Sequence, residues 1–152
     1  MDSFAARLNE LLDETYLNIM TMEEQSVRSC NLDLSTSEFH LLQVVGRAGE
    51  KGITVSEIAS FIHVARPTAS VAINKLERKG FVTKERCSKD GRAIYVKLTR
   101  SGVLADKYHR YYHRQLFSQL TTEFTQEEKA ALIRGVEKLN QIFLNTIAQR
   151  DR

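Results

Sequence analysis

The chain has 152 residues, 42% of them hydrophobic and 27% charged, the balance of a folded globular protein and not of a disordered one. Its two cysteines, Cys30 and Cys87, form no disulfide framework, and no apolar run is long enough to span a bilayer. The net charge is only +3, but between Arg66 and Arg100 ten Lys/Arg stand against three acids, while the rest of the chain is net acidic. A basic centre between acidic flanks points to a local polyanion-binding surface. The opening Met1-Asp2-Ser3 lacks the basic-then-apolar order of an export signal. The cysteines therefore read as free thiols in a reducing compartment, and the chain is expected in the cytoplasm.

In chain order, Phe4, Leu8, Leu11, Thr15 and Ile19 recur at helical spacing and predict a first helix from about Ser3 to near Cys30. Ser35 and Glu38 form a capping box that starts a second helix through about Arg47. Thr54 and Glu57 form another, opening a short helix with Ile58, Ala59 and Ile62 on its buried side. His63-Val64-Ala65 makes the turn, and Pro67 suits the first turn of the next helix. That helix is expected to bury Val71, Ile73 and Leu76 and to end at Arg78-Lys79-Gly80, basic residues before a left-handed glycine. The period then changes to two. Phe81 to Cys87 and Ala93 to Leu98 read as strands, joined through Asp90-Gly91, a strong hairpin-turn signal. Helical spacing returns after Thr99 through about Leu120. A third capping box, Thr125 to Glu128, opens a last helix with Leu132, Val136, Leu139, Phe143 and Ile147 on one stripe.

A short helix, a tight turn, a second helix ending in glycine and a basic hairpin describe a mainly α fold with a winged helix-turn-helix. The physics suits DNA, because an α-helix fills the major groove and its early residues reach base edges. The helix at Pro67 exposes Thr68, Ser70, Asn74 and Lys75, with Arg66 just ahead and Val71 also counted among the DNA-contacting positions. Asn74 suits adenine, and Lys75 suits guanine or phosphate. Lys84, Arg86, Lys89 and Arg92 carry the hairpin's charge toward the backbone or minor groove. Thr54 and Ser56 open the preceding helix toward a phosphate. The contrary reading is a winged helix that binds only protein, which needs neither polar groove-facing residues nor a basic lobe. No nucleophile–base pairing is evident, and the glycines from Gly46 to Gly52 lack the Gly-Lys-Ser/Thr of a phosphate loop, so no enzymatic activity is expected.

Leu34-Ser35-Thr36-Ser37-Glu38-Phe39, Asn74-Lys75-Leu76-Glu77-Arg78-Lys79-Gly80-Phe81-Val82, the wing signature Asp90-Gly91-Arg92 and Leu98-Thr99-Arg100-Ser101-Gly102 stand in one order. In that order the sequence resembles the MarR family of bacterial regulators over nearly its whole length. The resemblance implies a single MarR-type domain acting as an obligate homodimer on a pseudo-palindromic operator. Residues 1–33 and 100–152 would form the dimerisation helices and residues 34–99 the winged lobe. It further implies that Asp90 and Arg92 hold the wing, with Arg92 entering the minor groove.

Two branches of the family bear on what the chain senses. His109 and His113 lie four apart on one helix face, His40 lies in the second helix and Glu24 near the end of the first. Two His at that spacing with a third His and a carboxylate make a tetrahedral zinc set, and the four positions resemble the AdcR-type zinc sensors. The second metal site of those sensors is not reproduced: Phe39 and Tyr108 stand where carboxylates are expected. The surroundings, Met20 to Glu24, Glu38-Phe39-His40 and Tyr108 to His113, look like the FabT-type regulators of fatty-acid synthesis. That resemblance implies a long acyl chain on acyl carrier protein as corepressor, in an apolar tunnel for which Leu12, Tyr16, Ile19, Met20, Leu41 and Phe117 are candidates. The plain alternatives are hydrogen-bonded or interface histidines and ordinary core residues.

Overall fold

The structure, a computed structural model, describes residues 3–86 and 93–150. They fall into two compact units, Met1–Tyr111 and Tyr112–Arg152. The first holds helices α1 (Ser3–Ser29), α2 (Thr36–Arg47), α3 (Val55–Phe61) and α4 (Arg66–Arg78), strands β1 (Ile53–Thr54), β2 (Val82–Arg86) and β3 (Ile94–Leu98), and the start of α5 (Arg100–Leu120). The second holds the rest of α5 and α6 (Gln126–Arg150). No helix among the described residues is long and apolar enough to cross a membrane.

The capping boxes form as the sequence predicts. Glu38 N–H donates to Ser35 Oγ (3.3 Å) and Ser35 N–H to the Glu38 carboxylate (2.8 Å). The same reciprocal pair joins Thr54 and Glu57, and again Thr125 and Glu128. Between α3 and α4 the chain turns through His63 in the left-handed region. Phe39, Leu42 and Val45 of α2, Ile58 of α3, Ile73 and Leu76 of α4, Val82 and Val96 of the sheet, and Ala105 of α5 share one core.

The sheet order is β1-β3-β2, antiparallel throughout, with Val82 opposite Leu98, Arg86 opposite Ile94 and Ile53 opposite Val96. β1 is not foreseen by the sequence, since two residues show no alternation. The strands are also shorter than the sequence suggests. Phe81 belongs to the bend closing α4, while Cys87 and the Asp90-Gly91 turn lie outside the described residues.

The junction of α4, β2 and α5 explains the Leu98 to Gly102 motif. Gly80 takes φ +80°, and its N–H bonds Glu77 O (2.9 Å) while Phe81 N–H bonds Leu76 O (3.0 Å), closing the helix. Thr99 Oγ donates to Gly80 O (2.6 Å) and accepts from Gly102 N–H (3.1 Å). A Cβ on Gly102 would stand 2.0 Å from the Phe81 carbonyl oxygen. In the second unit, Leu132, Val136, Phe143 and Ile147 of the expected α6 stripe stay exposed.

Gly102→Ala forces backbone against backbone and should lower stability by about 1–3 kcal/mol. Urea unfolding followed by circular dichroism measures this, and an unchanged midpoint would refute the close approach.

Candidate nucleic-acid interface

Ala69, Ile73 and Leu76 are fully buried and define the inner face of α4. At 3.6 residues per turn, Val71 falls on the opposite side, two positions beyond Ala69. It is 68% exposed, which corrects the expectation that it packs with Ile73 and Leu76. Pro67, Thr68, Asn74 and Lys75 are exposed on the outer half of the same helix, and Ser70 is half-buried at its edge.

A hollow of about 260 Å³ opens beside this helix, lined by Thr54, Val55, Ser56, Arg66, Ser70, Lys84, Ala93 and Ile94. Five of those residues (Thr54, Ser56, Arg66, Ser70 and Lys84) are candidates from the sequence. Three elements deliver them: the start of α3, the start of α4 and the middle of β2. Hydroxyls beside two cationic side chains form a surface matched to a phosphate oxygen. Lys84 is also held in place, donating to Asn74 Oδ1 and to the Glu77 carboxylate (2.8 Å), which ties the hairpin to α4. Arg86 is exposed at the end of β2. Lys89, Asp90 and Arg92 lie outside the described residues.

Residues 32–93 match the family model described as MarR family. The transcriptional regulator AdcR of Streptococcus pneumoniae is 27% identical over 91% of this chain and 97% of its own length. The S. pneumoniae FabT in complex with DNA superposes with a TM-score of 0.89 at 28% identity, covering 93% of this chain and 99% of that one. The chain thus matches the MarR family over its winged lobe and is similar, over nearly its full length, to DNA-binding transcriptional regulators. A cysteine-to-serine mutant of MarR from E. coli, complexed with operator DNA, shares the fold, with a TM-score of 0.71 at 22% identity over 91% of this chain and 99% of that one.

A second cluster lies where α1, α2 and α5 meet within the first unit. Glu23, His40 and His109 each present a ligand atom, all within 4.8 Å of one another. His40 Nε2 stands 3.2 Å from the Glu23 carboxylate. His109 is 1% exposed, stacked on Phe39 at 5.1 Å, with its Nδ1 2.8 Å from Gln43 Nε2. The carboxylate is Glu23 and not the expected Glu24. Glu23 and Ser26 form the buried side of α1, whereas Glu24, one position round the helix, faces solvent and Arg28 (3.6 Å). His113 belongs to the second unit, where it stacks with Phe117 at 6.1 Å. Of the candidate tunnel residues, Leu41 is buried in the core, Leu12, Tyr16 and Ile19 are exposed on α1, Met20 is half-buried and Phe117 is exposed. A separate cavity of about 640 Å³, not anticipated from the sequence, lies between α2, β3 and α5, with Val45, Lys97, Leu98, Val103 and the Asp106–Arg110 ion pair (2.7 Å) in its lining.

Glu38 does more than cap α2. Only 5% exposed, its carboxylate meets Lys75 (3.1 Å) and Lys79 (3.0 Å) of the α4 end. Burial pushes its pKa up, but the Ser35 N–H and the two lysines outweigh that and hold it below the usual 4.5. A carboxylate depressed in the folded state adds stability at neutral pH that is lost as pH falls below that ordinary value. Glu38→Gln should therefore destabilise the protein by about 1–3 kcal/mol at pH 7. The gap from wild type should shrink as pH falls below about 4.5. A pH-independent difference in urea titrations would contradict the ionic role of Glu38.

Proposed function

We propose that this chain is a homodimeric repressor that places α4 in the major groove of each half of an inverted repeat, with the hairpin against the flanking backbone. The observation that carries this reading is the hollow in which Thr54, Ser56, Arg66, Ser70 and Lys84 converge beside the outer face of α4. Homodimerisation is supported by exposed apolar faces: Tyr16, Leu17 and Ile19 on α1, and Leu132, Val136 and Phe143 on α6. In this reading residues 34–99 form the DNA lobe, and residues 1–33 and 100–152 the dimer part, with the cytoplasm as its place of action. The wing residues Lys89, Asp90 and Arg92 belong to the same interface.

For the effector, likeness to FabT over nearly the full length of both chains favours control of fatty-acid biosynthesis genes, with a long-chain acyl group on acyl carrier protein tightening operator binding. A second reading, response to zinc, is favoured by Glu23, His40 and His109. Two imidazoles and a carboxylate within 4.8 Å are a zinc-type donor set, and Gln43 orients one ring as outer partners of metal ligands do. Zinc held there would cross-link α1, α2 and α5.

Arg66→Ala should weaken binding about equally across DNA sequences and reduce the slope of log affinity against log salt by about one. Fluorescence anisotropy at several salt concentrations reads this, and an unchanged slope would remove Arg66 from the backbone contacts. Operator binding with zinc and with acylated carrier protein, added separately, divides the two effectors. In the zinc case His40→Ala, whose ring is half exposed, should abolish the metal response and keep metal-free DNA binding.

A further inference from the structure

The outer face of α4 has an apolar crest. Val71 lies diametrically opposite the Ala69, Ile73 and Leu76 face, with Pro67 one turn before it, also exposed. Two of the polar side chains beside it, Asn74 and Lys75, are drawn off to the edges. Asn74 Oδ1 accepts from Lys84, and Lys75 is paired with buried Glu38. An asparagine that reads adenine needs its oxygen for the base N6–H, and here that oxygen serves the hairpin. A solvent-exposed valine at the centre of a helix whose flanks are cationic adds nothing to the fold's core, and its placement gives it one use in a major groove. The thymine 5-methyl is the apolar feature of that groove.

Resting on the DNA-binding reading above, we infer that Val71 is a specificity-determining residue that reads a thymine methyl near the centre of each half-site. The hydrogen-bonding residues around it position the helix and contact the backbone.

The test selects operators from random duplexes with the full-length protein and then replaces each thymine by uracil, which deletes only the methyl. For wild type, uracil at one thymine per half-site should weaken binding about fourfold, the factor for about 0.8 kcal/mol of buried methyl. Other thymines should be neutral. Val71→Ala should bind thymine and uracil operators alike at that position, and Val71→Ile should keep the discrimination. Uracil sensitivity that survives in Val71→Ala, or wild-type indifference to every substitution, overturns the assignment while DNA binding stands. Failure to retain any duplex overturns the DNA-binding reading, and this inference with it.

Discussion

One carboxylate joins the two helices on which the lobe depends. Glu38 closes the first turn of α2 through Ser35 and at the same time holds Lys75 and Lys79 at the end of α4. Desolvating a carboxylate is costly unless it is paired and hydrogen-bonded, and on Glu38 the hydrogen bonds from Ser35 N–H and Lys79 and the ion pair with Lys75 offset that cost. Lys79 Nζ also donates to the Asp33 carbonyl (2.7 Å), so the segment before α2, the start of α2 and the end of α4 are gripped together. The hydrophobic contacts of Phe39, Leu42, Ile73 and Leu76 add attraction between these helices, but it is directional polar bonding that sets their register.

The same bonding sorts the basic residues of the lobe. A local excess of positive charge gives attraction to a polyanion, yet many of the cations are engaged by the fold itself. Lys75, Lys79, Lys84 and Lys97 each meet a carboxylate of the lobe. Lys84 does both kinds of work: its ammonium anchors β2 to α4 while it lines the hollow beside Arg66. Shape and charge there are thus prearranged by the hairpin's attachment, which lowers the ordering cost of binding.

Much of this is written in local signals. Capping boxes, the glycine after α4 and the change from helical to alternating spacing act over a few residues, so helix starts and the hairpin can be read directly. Side-chain allegiance across elements cannot. Asn74 and Lys75 look like groove readers in isolation, and only the placement of Lys84 and Glu38 beside them shows where their polar atoms are engaged. Hydrophobicity alone sends Val71 to the core, although the spacing of Ala69, Ile73 and Leu76 already puts it on the far side of the helix. For Glu23 and Glu24 the sequence offers two adjacent carboxylates, and a rotation of one residue about α1 decides between them. β1 escapes because two residues have no period and are defined by pairing with β3.

The position of the histidine cluster constrains how any effector there could act. His40 and Glu38 are two residues apart on α2: one faces Glu23 and His109, the other grips α4. Within the first unit, α2 is therefore the element shared by the cluster and α4. A ligand at the cluster changes DNA affinity only to the extent that it binds one setting of α2 better than another. Packing limits the settings available. His109 is wedged against Phe39, and Gly46 lets Asp106 approach α2 so closely that an added Cβ would sit 2.7 Å from its oxygen. The buried Phe39–His109 stack in particular does not deform smoothly. The coupling thus favours a rigid displacement of α2 carrying α4 with it through Glu38, over a local rearrangement that would leave α4 where it is.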